Sequence, residues 1–296
     1  MIRGSVIAVI VVYHPKAGEL ETSLGSLLQN FKDVVVVWNG PHPFKVPTFL
    51  KNPRLHLMDM GDNVGLAAAL NQGIARAFDS GASWVYLSDQ DSILPRDFKK
   101  LMVEYSGYIP AGSKVSAIGP RYFNETTLED NRFIRMNFLW LNRFKPSLDD
   151  IYAEAEYLIT SGSFISKEAF CEIGPMREEL FVDFIDIEWT LRSRLLGYKA
   201  FALPSVTIHH RLGDYGFNFL GTRFPIHSPL RIYYYFRNAA YLYKRRYISF
   251  NWKLVDGSRN IFRFLFYVIL VKPRLSYLRM AVLGTYHGII GRMGKL

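Results

Sequence analysis

The sequence predicts an α/β protein: a doubly wound, mostly parallel sheet with a basic, aromatic helical segment appended. Two observations predict the sheet. Continuous apolar, β-rich runs recur at residues 5–13, 34–38 and 84–87 without the polar alternation of a half-exposed strand, as expected of strands covered on both faces. Segments of helical apolar spacing lie between them, which gives the strand–helix–strand succession of parallel crossovers. A third observation predicts the appendage: from Pro229 the pattern turns helical, aromatic and basic, with a soft boundary near residue 230.

Taken in order, Ser5–Tyr13 is the first strand. Glu19–Asn30 places Leu20, Leu24, Leu27 and Leu28 on one helical face. Val34–Trp38 is a second buried strand, stopped by Asn39-Gly40-Pro41, and Pro43–Pro53 reads as loop. Leu55–Met58 is a third strand; Asn63–Ala77 is helical, with Leu66, Leu70, Ile74 and Phe78 at helical spacing; Trp84–Leu87 is a fourth strand. Val115–Gly119 is a short strand, and Phe123–Leu148, polar and aromatic without a period, is expected to be a long loop over the site. Tyr157–Ser166 reads as strand–turn–strand, Lys167–Ile173 and Trp189–Leu196 as helices, Ala200–Leu203 as a strand, and Ser205–Ile208 as strand-like. No internal repeat is evident.

The chain has 296 residues, 49% of them hydrophobic, enough for one large domain or a domain with an appendage. A single cysteine, Cys171, rules out an internal disulfide framework, agrees with a reducing compartment, and reads as a small core residue. The net charge of +10 is unevenly placed: residues 231–296 hold 13 Lys and Arg against one acid, Asp256, while the first 230 residues carry a net −2. Such a block implies an anionic surface nearby. The apolar runs Phe264–Val271 and Met280–Gly291 fall short of the roughly 20 residues that span a bilayer. Val6–Tyr13 lacks a small-residue cleavage pattern and reads as a strand, not as a signal peptide.

Two acidic clusters carry the chemistry. Asp89 and Asp91 lie one residue apart at the carboxyl end of the fourth strand, where open α/β sheets place ligands, and hard oxygen donors suit Mg²⁺ or Mn²⁺ held jointly with a diphosphate. The alternative for this pair is turn formation and capping. The second cluster, Asp183, Asp186 and Glu188, has to face a cleft, a cation or solvent, because burying a string of acids is costly. It is either a helix N-terminus favourable to the dipole or a general base for an acceptor hydroxyl. His209 and His210 follow; neighbours on a strand face opposite ways, so at most one enters a given site.

Several separated motifs resemble the family 2 glycosyltransferases of the GT-A fold, and especially their rhamnosyltransferase branch. They are VIAVIVVYHP (6–15), WNG (38–40), DNVGLAAALNQGI (62–74), LSDQDS (87–92), TSGSFIS (160–166), FVDFIDIEWTLRSRLLGY (181–198), IHHRLGD (208–214) and YYYFRNAAYL (233–242), in the family's order across most of residues 5–242. The resemblance implies a GT-A domain over 1–230, with a nucleotide-sugar half to about 120 and an acceptor half beyond it; the basic, aromatic composition of 231–296 reads as a membrane-associating tail. It implies that Tyr13, with Val12 alongside, contacts the nucleotide base. Where relatives carry an acidic residue after the second strand this chain has Trp38, so Asn39 takes that place. Asn63 and Gly65 resemble the nucleotide-contacting loop. Gly65 permits close backbone approach and the helix N-terminus there favours phosphate, although Asn63 is equally compatible with an N-cap. Asp89 and Gln90 fall on the nucleotide-sugar side, Asp91 and Asp89 on a divalent cation, and His210 toward metal or diphosphate. Asp186 matches the catalytic base; Glu188, Asp183, Ser161 and Gly162 fall on the acceptor side; Arg237 pairs with a diphosphate or an acceptor phosphate, or lies on the basic tail and touches only lipid.

The resemblance further implies a single displacement. The acceptor hydroxyl, deprotonated by Asp186, attacks the anomeric carbon of dTDP-β-L-rhamnose and inverts it. UDP- or GDP-sugars are the alternative donors. The tail's interleaved aromatics and cations suit an interfacial segment on an anionic membrane surface. That places the chain at the cytoplasmic, inner face of the cell membrane, where a polyprenyl-diphosphate-linked or other glycan is presented. The other readings of the tail are a helical cap packed on the domain and a homodimer surface. A glycoside hydrolase also uses two carboxylates but needs neither metal nor nucleotide loop. A nucleotidyltransferase advertises a Gly-rich basic loop, of which His14–Gly18 is a poor version. A polybasic adaptor leaves both acidic clusters unexplained, and no nucleic-acid partner is expected.

Overall fold

A computed structural model of the chain describes residues 1–41, 47–124, 129–130, 133–137, 140–144, 146–147, 150–210, 216–219 and 222–296. The order of elements is β1 (Val6–Val12), α1 (Ala17–Asn30), β2 (Val34–Trp38), β3 (Leu55–Asp59), α2 (Leu66–Asp79), β4 (Trp84–Ser88), α3 (Phe98–Ser106), β5 (Val115–Asn124), β6 (Glu129–Asp130), β7 (Phe133–Asn137), β8 (Trp140–Phe144), β9 (Ala153–Ala155), β10 (Phe164–Ser166), α4 (Lys167–Ile173), α5 (Ile185–Arg194), β11 (Lys199–His210), β12 (Gly216–Phe219), β13 (Thr222–Pro225), α6 (Pro229–Tyr243), α7 (Phe250–Leu270) and α8 (Arg274–Ile290). The main sheet runs β3-β2-β1-β4-β10-β5-β11-β9, with β6 on β5. β1 pairs parallel with β2 and β4, as do β2 with β3 and β5 with β11; β10 is antiparallel to β4 and β5, and β9 to β11. The chain order reverses at β1, so the crevice beyond β1 and β4 is the switch point at which ligands enter such sheets.

β1 shows why its sequence has no polar alternation. Val6, Ala8, Ile10 and Val12 join the core beneath α1 and α3, while Ile7, Val9 and Val11 join the core beneath α2 and α5. Both faces are dry, so both sets of alternate residues are apolar. α2 lies close on the sheet at Gly73, where a side chain would collide with Val9 and Val37.

Several expected boundaries move. The helix expected from Asn63 begins at Leu66, and the one expected from Trp189 begins at Ile185, which brings Asp186 and Glu188 into its first turn. The strand expected over 115–119 extends to Asn124, and the two short strands expected over 200–208 are one strand, β11, with a bulge. Of residues 157–166 only Phe164–Ser166 is strand. The stretch 123–148, expected to be loop, contains the β7–β8 hairpin among its described residues.

α6 begins at the expected boundary but packs on the body: Ala239, Leu242, Ile248 and Trp252 share a core with α2 and α5. Gly284 and Gly288 let α8 lie directly on the α6 backbone at Tyr233 and Arg237. No helix among the described residues is long and apolar enough to cross a membrane.

Candidate active site

β4 ends at Ser88 and delivers Asp89 and Asp91, both exposed, to the mouth of the crevice. Gln90 closes the seam between β1 and β4, its Oε1 accepting the Tyr13 N–H at 2.8 Å. Ser161 Oγ accepts the Asp89 N–H at 3.2 Å and lies 3.4 Å from Ser92 Oγ. The next residue, Gly162, donates its N–H to the Leu87 carbonyl at 2.6 Å. Its φ of +76° and the Tyr122 hydroxyl against its Cα admit no side chain; that hydroxyl donates to the Ser161 carbonyl. Ser161 and Gly162, expected to touch the acceptor, are therefore buried and hold the Asp-x-Asp turn instead.

The residue before Ser161 holds the other acid. Asp186 Oδ2 accepts the Thr160 N–H at 3.1 Å, and Oδ1 accepts the Ile187 N–H at 2.9 Å. Burial pushes the Asp186 carboxyl up to about 6, with the Asp183 charge adding to the rise and the backbone donors opposing it. Consecutive residues 160 and 161 thus bind one acidic motif each, and the two motifs, far apart in sequence, meet across one turn.

The approach to Asp186 is strained. Phe181, Asp183 and Phe184 adopt φ of 63°, 61° and 65°, each costing about 1–3 kcal/mol in a non-glycine residue. α6 holds this loop in place. Asn238 Nδ2 lies within hydrogen-bond distance of the carbonyls of Leu180 (2.9 Å), Val182 (2.7 Å) and Asp183 (3.1 Å). Phe181 stacks on Tyr234 with ring centres 5.0 Å apart.

Arg237 does not reach the cleft. Fully buried, it donates to the carbonyls of Leu180 at 2.9 Å and of Gly294, so it braces the loop and cannot contact a diphosphate. Arg231, six residues earlier on α6, faces the acids. It pairs with both oxygens of Asp183, at 2.9 Å to Oδ1 and 3.2 Å to Oδ2, and the negative charges of Asp183 and Asp89 both raise its pKa. Arg231, Asn238 and Thr160 were not singled out in the sequence. Arg231 was hidden among the tail's 13 basic residues, and Thr160 acts through its backbone.

Glu188 is also misplaced by the sequence reading. It is 0% exposed and bound by Arg177 Nε at 3.0 Å, Arg192 Nε at 3.0 Å and the Tyr247 hydroxyl at 2.7 Å. Two positions beyond Asp186 on a helix, it points away from the cleft and joins α5 to the segment after α6. Asp183 is committed to Arg231 in this state. His210 ends β11, and its side chain lies outside the described residues.

At the end of β1, Tyr13 is 45% exposed, whereas the Val12 side chain is wholly buried and offers only backbone. Asn39 is buried, its Oδ1 accepting the Val64 N–H at 2.9 Å; it shapes the 62–65 loop instead of presenting a free amide. Asn63 Oδ1 accepts the Gly65 N–H at 3.0 Å. Gly65 is required by packing: with φ of +90°, a Cβ there would strike Phe181. The Phe181 carbonyl caps the Leu66 N–H at 2.6 Å, so that amide of the α2 N-terminus is already occupied. Beside Tyr13, a hollow of about 380 Å³ is lined by His14, Trp38, Gly40, Pro41 and Phe49.

No group of three or more His, Cys, Asp and Glu gathers as a metal cage among the described residues. The exposed Asp89 and Asp91 fit a different arrangement, a Mg²⁺- or Mn²⁺-class ion that keeps waters and shares substrate phosphates with one or two carboxylates.

The family model for glycosyl transferase family 2 matches residues 8–174. The dTDP-rhamnosyl transferase RfbF of Shigella flexneri is 27% identical over 99% of this chain and 98% of its own. The low-salt glycan biosynthesis hexosyltransferase Agl10 of Haloferax volcanii is 24% identical over 97% of this chain and 92% of its own. Among solved structures, S. aureus TarS 1-349 aligns over 98% of this chain and 82% of its own, with TM-score 0.56 and 13% identity. GalNAc-T7 with UDP, GalNAc and Mn²⁺ aligns over 86% of this chain, with TM-score 0.55 and 14% identity, and the chain spans 54% of its length. Both structures share the GT-A fold of this chain.

Proposed function

Because this chain belongs to glycosyl transferase family 2, we propose that it transfers L-rhamnose from dTDP-β-L-rhamnose to a hydroxyl of a surface glycan carried on a polyprenyl diphosphate, with inversion. The likeness to RfbF along nearly the whole of both chains supports the donor. One observation carries the chemistry: Thr160 and Ser161, adjacent in sequence, bind Asp186 and the Asp89 turn respectively.

Asp186 takes the proton of the acceptor hydroxyl. The oxygen then bonds to the anomeric carbon on the face opposite the diphosphate, the anomeric C–O bond breaks, its electron pair leaves with dTDP, and the β-linkage becomes an α-L-rhamnoside. A carboxyl raised to about 6 is ionised at neutral pH yet more basic than an ordinary aspartate, which suits a general base. Arg231, exchanging Asp183 for the incoming diphosphate, supplies a guanidinium to the leaving group. Asp89 and Asp91 would hold a divalent cation, which when bound neutralises diphosphate charge as a Lewis acid. The aromatic-lined hollow beside Tyr13 suits the thymine.

The test is a donor panel. Incubated with Mn²⁺ and each of dTDP-rhamnose, UDP-sugars and GDP-sugars, the protein is expected to release dTDP slowly by hydrolysis and to be stabilised thermally by dTDP-rhamnose. Turnover of a UDP- or GDP-sugar with none of dTDP-rhamnose would overturn the donor assignment.

A further inference from the structure

α7 turns an apolar face to solvent as well as one to the protein. Its buried residues are Trp252, Asp256, Asn260 and Tyr267. Asp256 accepts the Tyr243 hydroxyl at 2.7 Å and Asn260 Nδ2 at 3.2 Å, so the face turned to the protein mixes two aromatic side chains with a polar pair. The face turned to solvent is apolar: Phe250 (74% exposed), Leu254, Ile261, Phe262 (73%), Leu265 and Ile269. At 3.6 residues per turn these six fall within about 120° of one another, a single stripe. α8 adds Leu275, Val282 and Ile289, each more than half exposed. A soluble surface rarely leaves such a stripe uncovered.

The charge around it has one sign. Lys272, Arg274 and Arg279 stand exposed on α8 and its connection to α7, and Asp256, the sole acid of residues 231–296, is buried. A second copy laid face to face would set these cations against one another, whereas an anionic bilayer complements them and accepts the apolar stripe. A cleft of about 480 Å³ between α6, α7 and α8 is lined by Phe236, Ala239, Phe264, Ile261 and Ile289, the last two shared with the exposed face, and has room for a hydrocarbon chain.

We infer that the α7–α8 face is a monotopic docking surface for an anionic lipid bilayer. α6 is the structural member of the tail and the outer two helices are the lipid-facing ones. This goes beyond the donor and acceptor reading and does not depend on it.

The experiment is flotation of the full chain with phosphatidylglycerol–phosphatidylcholine vesicles and with phosphatidylcholine vesicles. It is run beside the double variants Phe262→Ser/Ile269→Ser and Arg274→Gln/Arg279→Gln. The unaltered protein is expected to float with the anionic vesicles and to bind the neutral ones about tenfold or more weakly. Each double variant should lose about tenfold or more on anionic vesicles while keeping its thermal midpoint and its hydrolysis of the donor. Equal flotation of the serine variant, or an unaltered protein that stays in the bottom fraction with anionic vesicles, would overturn the inference. A dimer in sedimentation that the serine variant abolishes would assign the face to self-association instead. Donor hydrolysis, read separately, reports on the catalytic reading alone.

Discussion

Asp186→Asn is expected to slow turnover severely and to stabilise the fold. In the folded state the carboxyl is raised from 3.8 to about 6, chiefly by burial. Ionising it in place therefore costs about 3 kcal/mol at neutral pH relative to the unfolded chain. The asparagine removes that cost but loses one of the two backbone-bonded oxygens, worth about 1–2 kcal/mol as a charged acceptor. The net expectation is about 1–2 kcal/mol of added stability, or roughly 2–6 °C in thermal midpoint. The sign with pH follows from the direction of the shift. A raised carboxyl contributes stability that is fully present below its unfolded value and lost as pH rises through the folded one. The gap between variant and parent is therefore small at pH 4 and reaches its full size above pH 6. Activity moves the other way: kcat/KM of the parent should climb through about pH 6 and level off, because only the ionised base accepts a proton. The variant should be slower by about 10²–10⁴-fold with that limb gone. Thermal melts from pH 4 to 8 beside a coupled dTDP-release assay measure both. Wild-type turnover in the variant, or a stability gap that does not narrow toward pH 4, would refute the reasoning.

Asn238→Ala removes the amide that holds three carbonyls of the strained 180–183 loop. It should lower stability by about 2–4 kcal/mol in urea titration and reduce kcat more than it raises donor KM. Glu188→Ala leaves Arg177 and Arg192 without their shared carboxylate and should cost about 3 kcal/mol in the same titration, with donor KM unchanged in whatever protein remains folded. Arg231→Gln breaks a partly exposed pair with Asp183; it should change the melting midpoint little, by less than about 1 kcal/mol, while raising donor KM in initial-rate measurements.

What the sequence disclosed and what it concealed divide along physical lines. The strands were legible because β1 buries both faces, so its composition alone marks it. Asp186 stood out through its acidic cluster and its match to the base position of the family the chain resembles, whereas the helix starts four residues before the point its spacing implies, since Phe184 enters it through a left-handed backbone that no propensity predicts. Glu188 was misread because burial of a carboxylate is affordable only with partners, and Arg177 and Tyr247 come from segments 11 and 59 residues away. Arg237 and Arg231 have the same chemistry, and only the packing of α8 on α6 shows which guanidinium is buried. The tail's basic, aromatic composition was plain, but the outward apolar face of α7 becomes visible only once α6 and α8 have taken the other side.

Titration of dTDP and Mn²⁺ into the parent, Asp186→Asn and Asp91→Asn, by calorimetry, separates the two halves of the crevice most directly. If residue 91 serves the diphosphate and residue 186 the acceptor, Asp186→Asn binds as the parent does, while Asp91→Asn binds at least about tenfold more weakly. Loss of dTDP binding in Asp186→Asn, or undiminished binding in Asp91→Asn, would contradict that division of labour.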